Sequence, residues 1–155
     1  MKGSENLHLD LTSDPSMLPG VREAVRSWCG RHGWSVEAVA DIVLAIDEAL
    51  SNVIKHGYDG RPGFKIDLRI RTVNDSARGE AVEIVIRDFG KQVPLESIRG
   101  RDLDDIRPGG LGVHIIRSLM CFVEYSHADG GGMKLVMRKY RSAPDRCDDP
   151  RRQST

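Results

Sequence analysis

The chain opens with Leu7, Leu9 and Leu11 alternating with His8, Asp10 and Thr12, the period-two pattern of a half-buried strand. Asp14-Pro15 then starts a helix, because proline is tolerated in a first turn, and Val21, Ala24, Val25 and Trp28 carry it toward a stop at Gly30 or Gly33. Ser35 is a good N-cap for a second helix. Its apolar residues Val36, Val39, Ile42, Val43, Ile46, Leu50, Val53 and Ile54 recur at three- and four-residue spacing as one broad stripe. Gly57 is the residue type that closes such a helix.

Two alternating runs follow, over 64–70 and 82–86, and the polar link 74–80 makes them an antiparallel hairpin. From 90 to 108 the regular pattern fails, which predicts a long loop of the mobile-lid kind. Gly109-Gly110-Leu111-Gly112 leads into a short helix over 113–120, and strands over 122–127 and 133–140 flank the turn Asp129-Gly130-Gly131-Gly132. Beyond Tyr140 little apolar remains, so 141–155 reads as a disordered tail. Strand, two helices, two strands, lid, helix and two strands make one α+β domain over 1–140, with its lid at about 91–108. The expected form is a two-layer sandwich, helices on one face of a mixed, mostly antiparallel sheet.

Composition narrows the classes. A chain of 155 residues is the size of one domain and buries roughly 68–70% of its unfolded surface, enough for a core without staples. No stretch approaches the ~20 apolar residues of a membrane span, and Met1 to Asn6 carry no signal-peptide apolar run, so a cytoplasmic protein off the membrane is expected. Twenty-three basic residues balance twenty-three acidic ones, which excludes a globally basic nucleic-acid binder. Cys29, Cys121 and Cys147 are too scattered for a disulfide framework and read as reduced thiols. The histidines form no zinc spacing.

Three blocks carry chemistry. Glu48 and Asn52 lie four apart on one helix face, and Lys55 and His56 continue that face. Asn52 offers Mg²⁺ a hard oxygen, Lys55 can meet phosphate, and Glu48 can accept a hydroxyl proton. A solvated helix face is the blander reading. Asp88-Phe89-Gly90 leaves a buried strand and can accept a hydrogen bond from a ligand amino group, although Asp and Gly are also ordinary turn residues. Pro108-Gly109-Gly110-Leu111-Gly112 opens a helix, where glycines let backbone N–H groups approach phosphate; a lid hinge would use the same residues. A Rossmann fingerprint fails for lack of a preceding buried strand, and a Walker loop for lack of Gly-Lys-Ser/Thr.

Taken together, Glu48-x-x-x-Asn52, Asp88-x-Gly90 and Gly110-x-Gly112 resemble the GHKL superfamily of DNA gyrase B, histidine kinases and mismatch-repair ATPases, which has the histidine-kinase-like ATPase fold. Within it, the run from Asp47 to Tyr58, ending His56-Gly57-Tyr58, is similar to the anti-sigma factor serine/threonine kinases, as are Gly109 to Gly112 and Arg117-Ser118-Leu119-Met120. The resemblance spans 7–140 and implies the following roles. Glu48 is the general base, and Asn52 the Mg²⁺ ligand. Asp88 receives the adenine amino group, with Gly90 beside it. Gly110 and Gly112 shape the phosphate turn, where Leu111 and Val113 also belong to the ATP-binding set. Lys55 and His56 complete that set. The chain departs from the superfamily where a second glycine often follows two residues after the first, for Gln92 stands there.

The implied activity is a cytoplasmic kinase using ATP and Mg²⁺ to phosphorylate an anti-sigma factor antagonist, and binding a sigma factor in a partner switch, with homodimerisation implied too. Direct contact with nucleic acid or membrane is not expected. An ATP-responsive binding regulator without phosphotransfer is the alternative that Gln92 motivates. A detached histidine kinase ATPase domain is another, disfavoured by His56-Gly57-Tyr58 and by the lack of a preceding dimerisation helix pair.

Overall fold

A computed structural model describes residues 5–98 and 110–141. Strand β1 (Leu7–Thr12) is followed by helices α1 (Leu18–Arg31) and α2 (Val36–Asn52), strands β2 (Lys65–Asp75) and β3 (Gly79–Asp88), helix α3 (Gly110–Leu119), and strands β4 (Phe122–His127) and β5 (Met133–Tyr140). The strands form one sheet in the order β1-β2-β3-β5-β4, and all four pairings are antiparallel. No parallel pair occurs among the described strands, so the expected mostly antiparallel sheet is antiparallel throughout.

Alternation decides which face is covered. Ile66, Leu68, Ile70, Ile84, Ile86, Leu135 and Met137 are buried on one face and form a single core with Trp28, Ile42, Ile46, Leu50, Ile116 and Met120 of the helical layer. Each such side chain contributes about 1.5–3 kcal/mol when fully buried. No helix among the described residues is long and apolar enough to cross a membrane.

Local chemistry shifts several boundaries. Asp14 caps a 3₁₀ turn, Pro15–Met17, that precedes α1. The β2–β3 ladder continues to Asn74↔Glu80 and Asp75↔Gly79, beyond the alternating runs, because the Asp75 carboxylate accepts from the Ala77 N–H and tightens the turn to 76–78. Helix α2 is α-helical to Asn52 and then widens into a π turn, Val53–Gly57. Helix α3 begins at Gly110, placing the glycines inside its first turn. Of the expected lid, Leu95–Ser97 forms a 3₁₀ turn, while 99–109 and the tail from 142 lie outside the described residues. Cys29 is free and buried, and burial pushes its thiol up to about 11. Cys121 is disulfide-bonded, which overturns the expectation of three reduced thiols.

The sheet's outer face carries a charge cluster that alternation alone does not foretell. Glu83 is 4% exposed and accepts from Arg71 at 2.8 Å and Arg138 at 2.7 Å. Burial pushes its carboxyl up, but the two guanidinium hydrogen bonds outweigh burial and hold it below the usual range. A depressed value means stability that is present above the unfolded-state pKa and lost as pH falls through the native one. Arg71 and Arg138 both retain water contact. Glu83→Ala should therefore cost about 1–3 kcal/mol, the scale of lost charged hydrogen bonds, rather than the 3–5 of a fully buried broken pair. Urea denaturation at neutral pH checks this, and the gap should narrow as pH falls below the ordinary glutamate range and the wild-type carboxyl protonates.

Candidate nucleotide site

The stripe that buries α2 leaves Glu48 and Asn52 half-buried on its flank, one turn apart. Neither side chain makes a hydrogen bond or ion pair among the described residues, although both are close to α3. A methyl group at Gly112 would lie 3.0 Å from Asn52 Nδ2, 3.2 Å from Asn52 Oδ1 and 3.2 Å from Glu48 Oε2. The glycine thus lets the first turn of α3 meet both groups. The leading N–H groups of a helix have no intrahelical acceptors and suit an anion. An unpaired carboxylate and amide beside such an end fit a metal-bound polyphosphate.

Asp88 ends β3 with only 3% exposure. Its Oδ1 accepts from the Gly90 N–H at 2.9 Å and the Met133 N–H at 3.2 Å. Oδ2 takes part in neither bond and remains for a ligand donor. Burial raises the Asp88 carboxyl above its ordinary value, and the two backbone N–H bonds only partly offset this. Close backbone approach builds the surrounding corner. A methyl on Gly90 would sit 2.4 Å from the Gly57 carbonyl oxygen, and one on Gly132, whose φ is 79°, would sit 2.0 Å from the Asp88 carbonyl oxygen.

Sequence reasoning missed part of this corner. The run Gly130-Gly131-Gly132 reads as a plain turn, yet the β4–β5 turn supplies the Met133 N–H to Asp88. Gln92, the departure from the double-glycine pattern, donates from Nε2 to the Ala128 carbonyl at 3.1 Å and the Gly132 carbonyl at 3.2 Å. It ties the segment after Gly90 to that same turn. His127 Nε2 and the Val93 carbonyl add a contact at 2.7 Å. A third glycine in the run, with Gln92 in place of glycine, was the available signal.

The other expected residues fall into two groups. Gly110 and Leu111 open α3, and half-buried Val113 follows Gly112. Lys55 and His56 stand exposed on the π turn and form no hydrogen bond with Glu48 or Asn52. His56 instead lies near enough to Asp59 to help lower its carboxyl, behind the larger effect of Lys91. One histidine–carboxylate cluster also occurs among the described residues, His8, Asp10 and Asp67 on the outer face, where Asp67 is already held by His8 and Arg69.

Asp88→Asn separates fold from ligand. Asparagine keeps an Oδ1 for the Gly90 and Met133 N–H groups, which turns its NH₂ toward the position of Oδ2. A raised native pKa means that Asp88 contributes stability below its unfolded pKa and loses it as pH rises through the native value. The variant should therefore melt at the wild-type temperature or above it at pH 7. Its ADP affinity should drop at least about tenfold, because an NH₂ faces the amino group the carboxylate would accept. Calorimetric titration and thermal melts read the two effects separately.

Comparison with known proteins identifies the family and the fold. The model of the histidine kinase-like ATPase domain matches residues 11–139. A serine-protein kinase RsbW of Listeria innocua is 28% identical over 144 residues, covering 88% of this chain and 87% of its own. That of Oceanobacillus iheyensis is 24% identical, covering 90% and 89%. Among solved structures, the RsbU and RsbW domains of Rv1364c from Mycobacterium tuberculosis superpose with a TM-score of 0.58 at 22% identity, over 88% of this chain and 32% of that one. The histidine kinase domain of the Erythrobacter litoralis EL346 blue-light activated kinase gives 0.50 at 21% identity, over 86% and 63%. With the match spanning most of its length and the fold agreeing, the chain belongs to the histidine kinase-like ATPase domain family.

Proposed function

We propose that this protein is an ATP-dependent serine/threonine protein kinase that phosphorylates an anti-sigma factor antagonist and binds a sigma factor in a partner switch. The observation that carries the reading is the unpaired Glu48 carboxylate and Asn52 amide set against Gly112 at the start of α3. Similarity to proteins named serine-protein kinase supports the reaction class. In this reading Asp88 Oδ2 accepts the adenine amino group, and Gly110 and Gly112 present backbone N–H groups to phosphate. Leu111 and Val113 adjoin that turn. Lys55 and His56 reach the nucleotide from the π turn. Asn52 would hold Mg²⁺, which supplies neutralisation of phosphate charge when bound.

Glu48 takes the proton of a seryl or threonyl hydroxyl while that oxygen bonds to the γ-phosphorus and the bond to the ADP oxygen breaks. Such base assistance is worth typically 10²–10⁴-fold, with the remainder supplied by positioning and charge. A cytoplasmic homodimer is part of the proposal. Were Gln92 to hold the lid root too firmly for turnover, the protein would bind partners in response to ATP without transferring phosphate.

Incubation with labelled ATP and candidate antagonist proteins tests the proposal. Label on the antagonist supports it, label on this chain indicates a histidine kinase, and label on neither leaves the binding regulator. Glu48→Gln should keep ADP and sigma-factor affinity near wild type and lower transfer by about a hundredfold or more. Wild-type transfer rates in that variant would remove Glu48 from the role of base.

A further inference from the structure

We infer that the Tyr58 hydroxyl positions the base-recognising corner and thereby sets the affinity and selectivity of the site for adenine. The inference rests on the proposed nucleotide-binding function and assigns a role to the last residue of His56-Gly57-Tyr58.

Three successive backbone amides after Asp88 are all spoken for. The Phe89 N–H donates to the Tyr58 hydroxyl at 2.7 Å, the Gly90 N–H to Asp88 Oδ1 at 2.9 Å, and the Lys91 N–H to the Gly57 carbonyl at 3.2 Å. Two of these three acceptors belong to Gly57 and Tyr58. The Asp88 carboxylate is held by the Gly90 N–H and by the Met133 N–H at the start of β5. The backbone leaving Asp88 is held at Phe89 and Lys91 by the end of the π turn.

Tyr58 is well anchored for this task. It is 4% exposed, its N–H donates to the Val53 carbonyl at 3.1 Å, and its ring stacks on Phe64 with centroids 5.0 Å apart. Its hydroxyl donates to the Lys65 carbonyl at 2.6 Å while accepting from Phe89. One oxygen thus joins the starting edge of β2, the exit of β3 and the segment continuing from the helix of Glu48 and Asn52. Burial raises the phenol above its ordinary value, with a further push from the Asp88 carboxylate, so it stays neutral and keeps the proton it donates.

This oxygen touches no part of the chemistry, so its effect should appear in base recognition. A carboxylate facing the base accepts from the adenine amino group but meets the lone pairs of the guanine carbonyl. Wild type should therefore prefer ADP to GDP. A corner free to shift by a few tenths of an ångström loses that distinction before it loses phosphate binding.

Tyr58→Phe removes the hydroxyl while keeping the ring, its burial and its stacking. ADP affinity should fall about five- to tenfold by calorimetry, with a much smaller fall for GDP. The KM for ATP should rise while kcat at saturating ATP stays within about twofold, and the Phe89 amide should lose hydrogen-exchange protection. Phe64→Leu is the control, since it removes the stacked ring and keeps the hydroxyl. It should lower the melting temperature and leave the ADP-to-GDP ratio unchanged. Unaltered ADP affinity in Tyr58→Phe, or an equal fall for ADP and GDP, would overturn the inference and leave the hydroxyl a structural role. Wild-type protein that binds neither nucleotide would fail at the earlier step, removing the functional reading and this inference together.

Discussion

Helix α2 can bury its apolar stripe in only one rotational setting, and the site follows from that setting. Ile42, Ile46, Ala49 and Leu50 are all at most 2% exposed. Turning the helix enough to expose one of them would forfeit about 1.5–3 kcal/mol per large side chain. The same setting puts Glu48 and Asn52 on the flank next to α3. Ala45 and Ala49, each three residues earlier around the helix, are buried and small, and Gly112 of α3 lies against Glu48 and Asn52 themselves. Among the described residues no hydrogen bond or ion pair holds the Glu48 or Asn52 side chain in place. Their position is a consequence of apolar packing, which leaves their oxygens available to a ligand.

That dependence explains what was readable in the chain. Element types followed from periodicity, and the helical face of Glu48 and Asn52 followed from their spacing. The glycines marked close approach, although which backbone each one admits is a tertiary fact. Gly132 against the Asp88 carbonyl joins residues far apart in sequence, so no local pattern could announce it. The π turn was equally hidden. Val53 and Ile54 extend the apolar stripe in sequence, yet the backbone widens into a π turn at that point, and Lys55 and His56 stand exposed on it. The longer β2–β3 ladder was missed because polar residues such as Asn74 and Glu80 suit a turn and an exposed ladder equally well.

The two buried carboxylates show how differently the fold treats the same chemical group. Glu83 is matched by two guanidinium groups and held below its usual range. Asp88 is given backbone N–H partners on one oxygen and no cation strong enough to reverse the effect of burial. The first arrangement supports the sheet. The second leaves one oxygen of a largely buried carboxylate outside the backbone hydrogen bonds, which makes sense where a ligand donor completes it.

The proposed base end and the proposed phosphate end of the site consequently differ in preorganisation. At the base end the hydrogen-bonding groups other than Asp88 Oδ2 have protein partners: the three amides after Asp88, the Met133 N–H, the Tyr58 hydroxyl and the Gln92 amide. A base entering there would order little that is not already ordered, so its binding free energy would go mainly into recognition. At the phosphate end, Glu48 and Asn52 have no side-chain hydrogen-bond partner among the described residues, and the helix start close to them suits an anion. Electrostatic contacts at that end would therefore form with the ligand, where phosphoryl transfer spreads charge over the phosphate oxygens. Gln92 sits at the boundary between the two regimes. By tying the exit of the base corner to the β4–β5 turn, it extends the fixed part of the structure to the root of the segment leading toward α3.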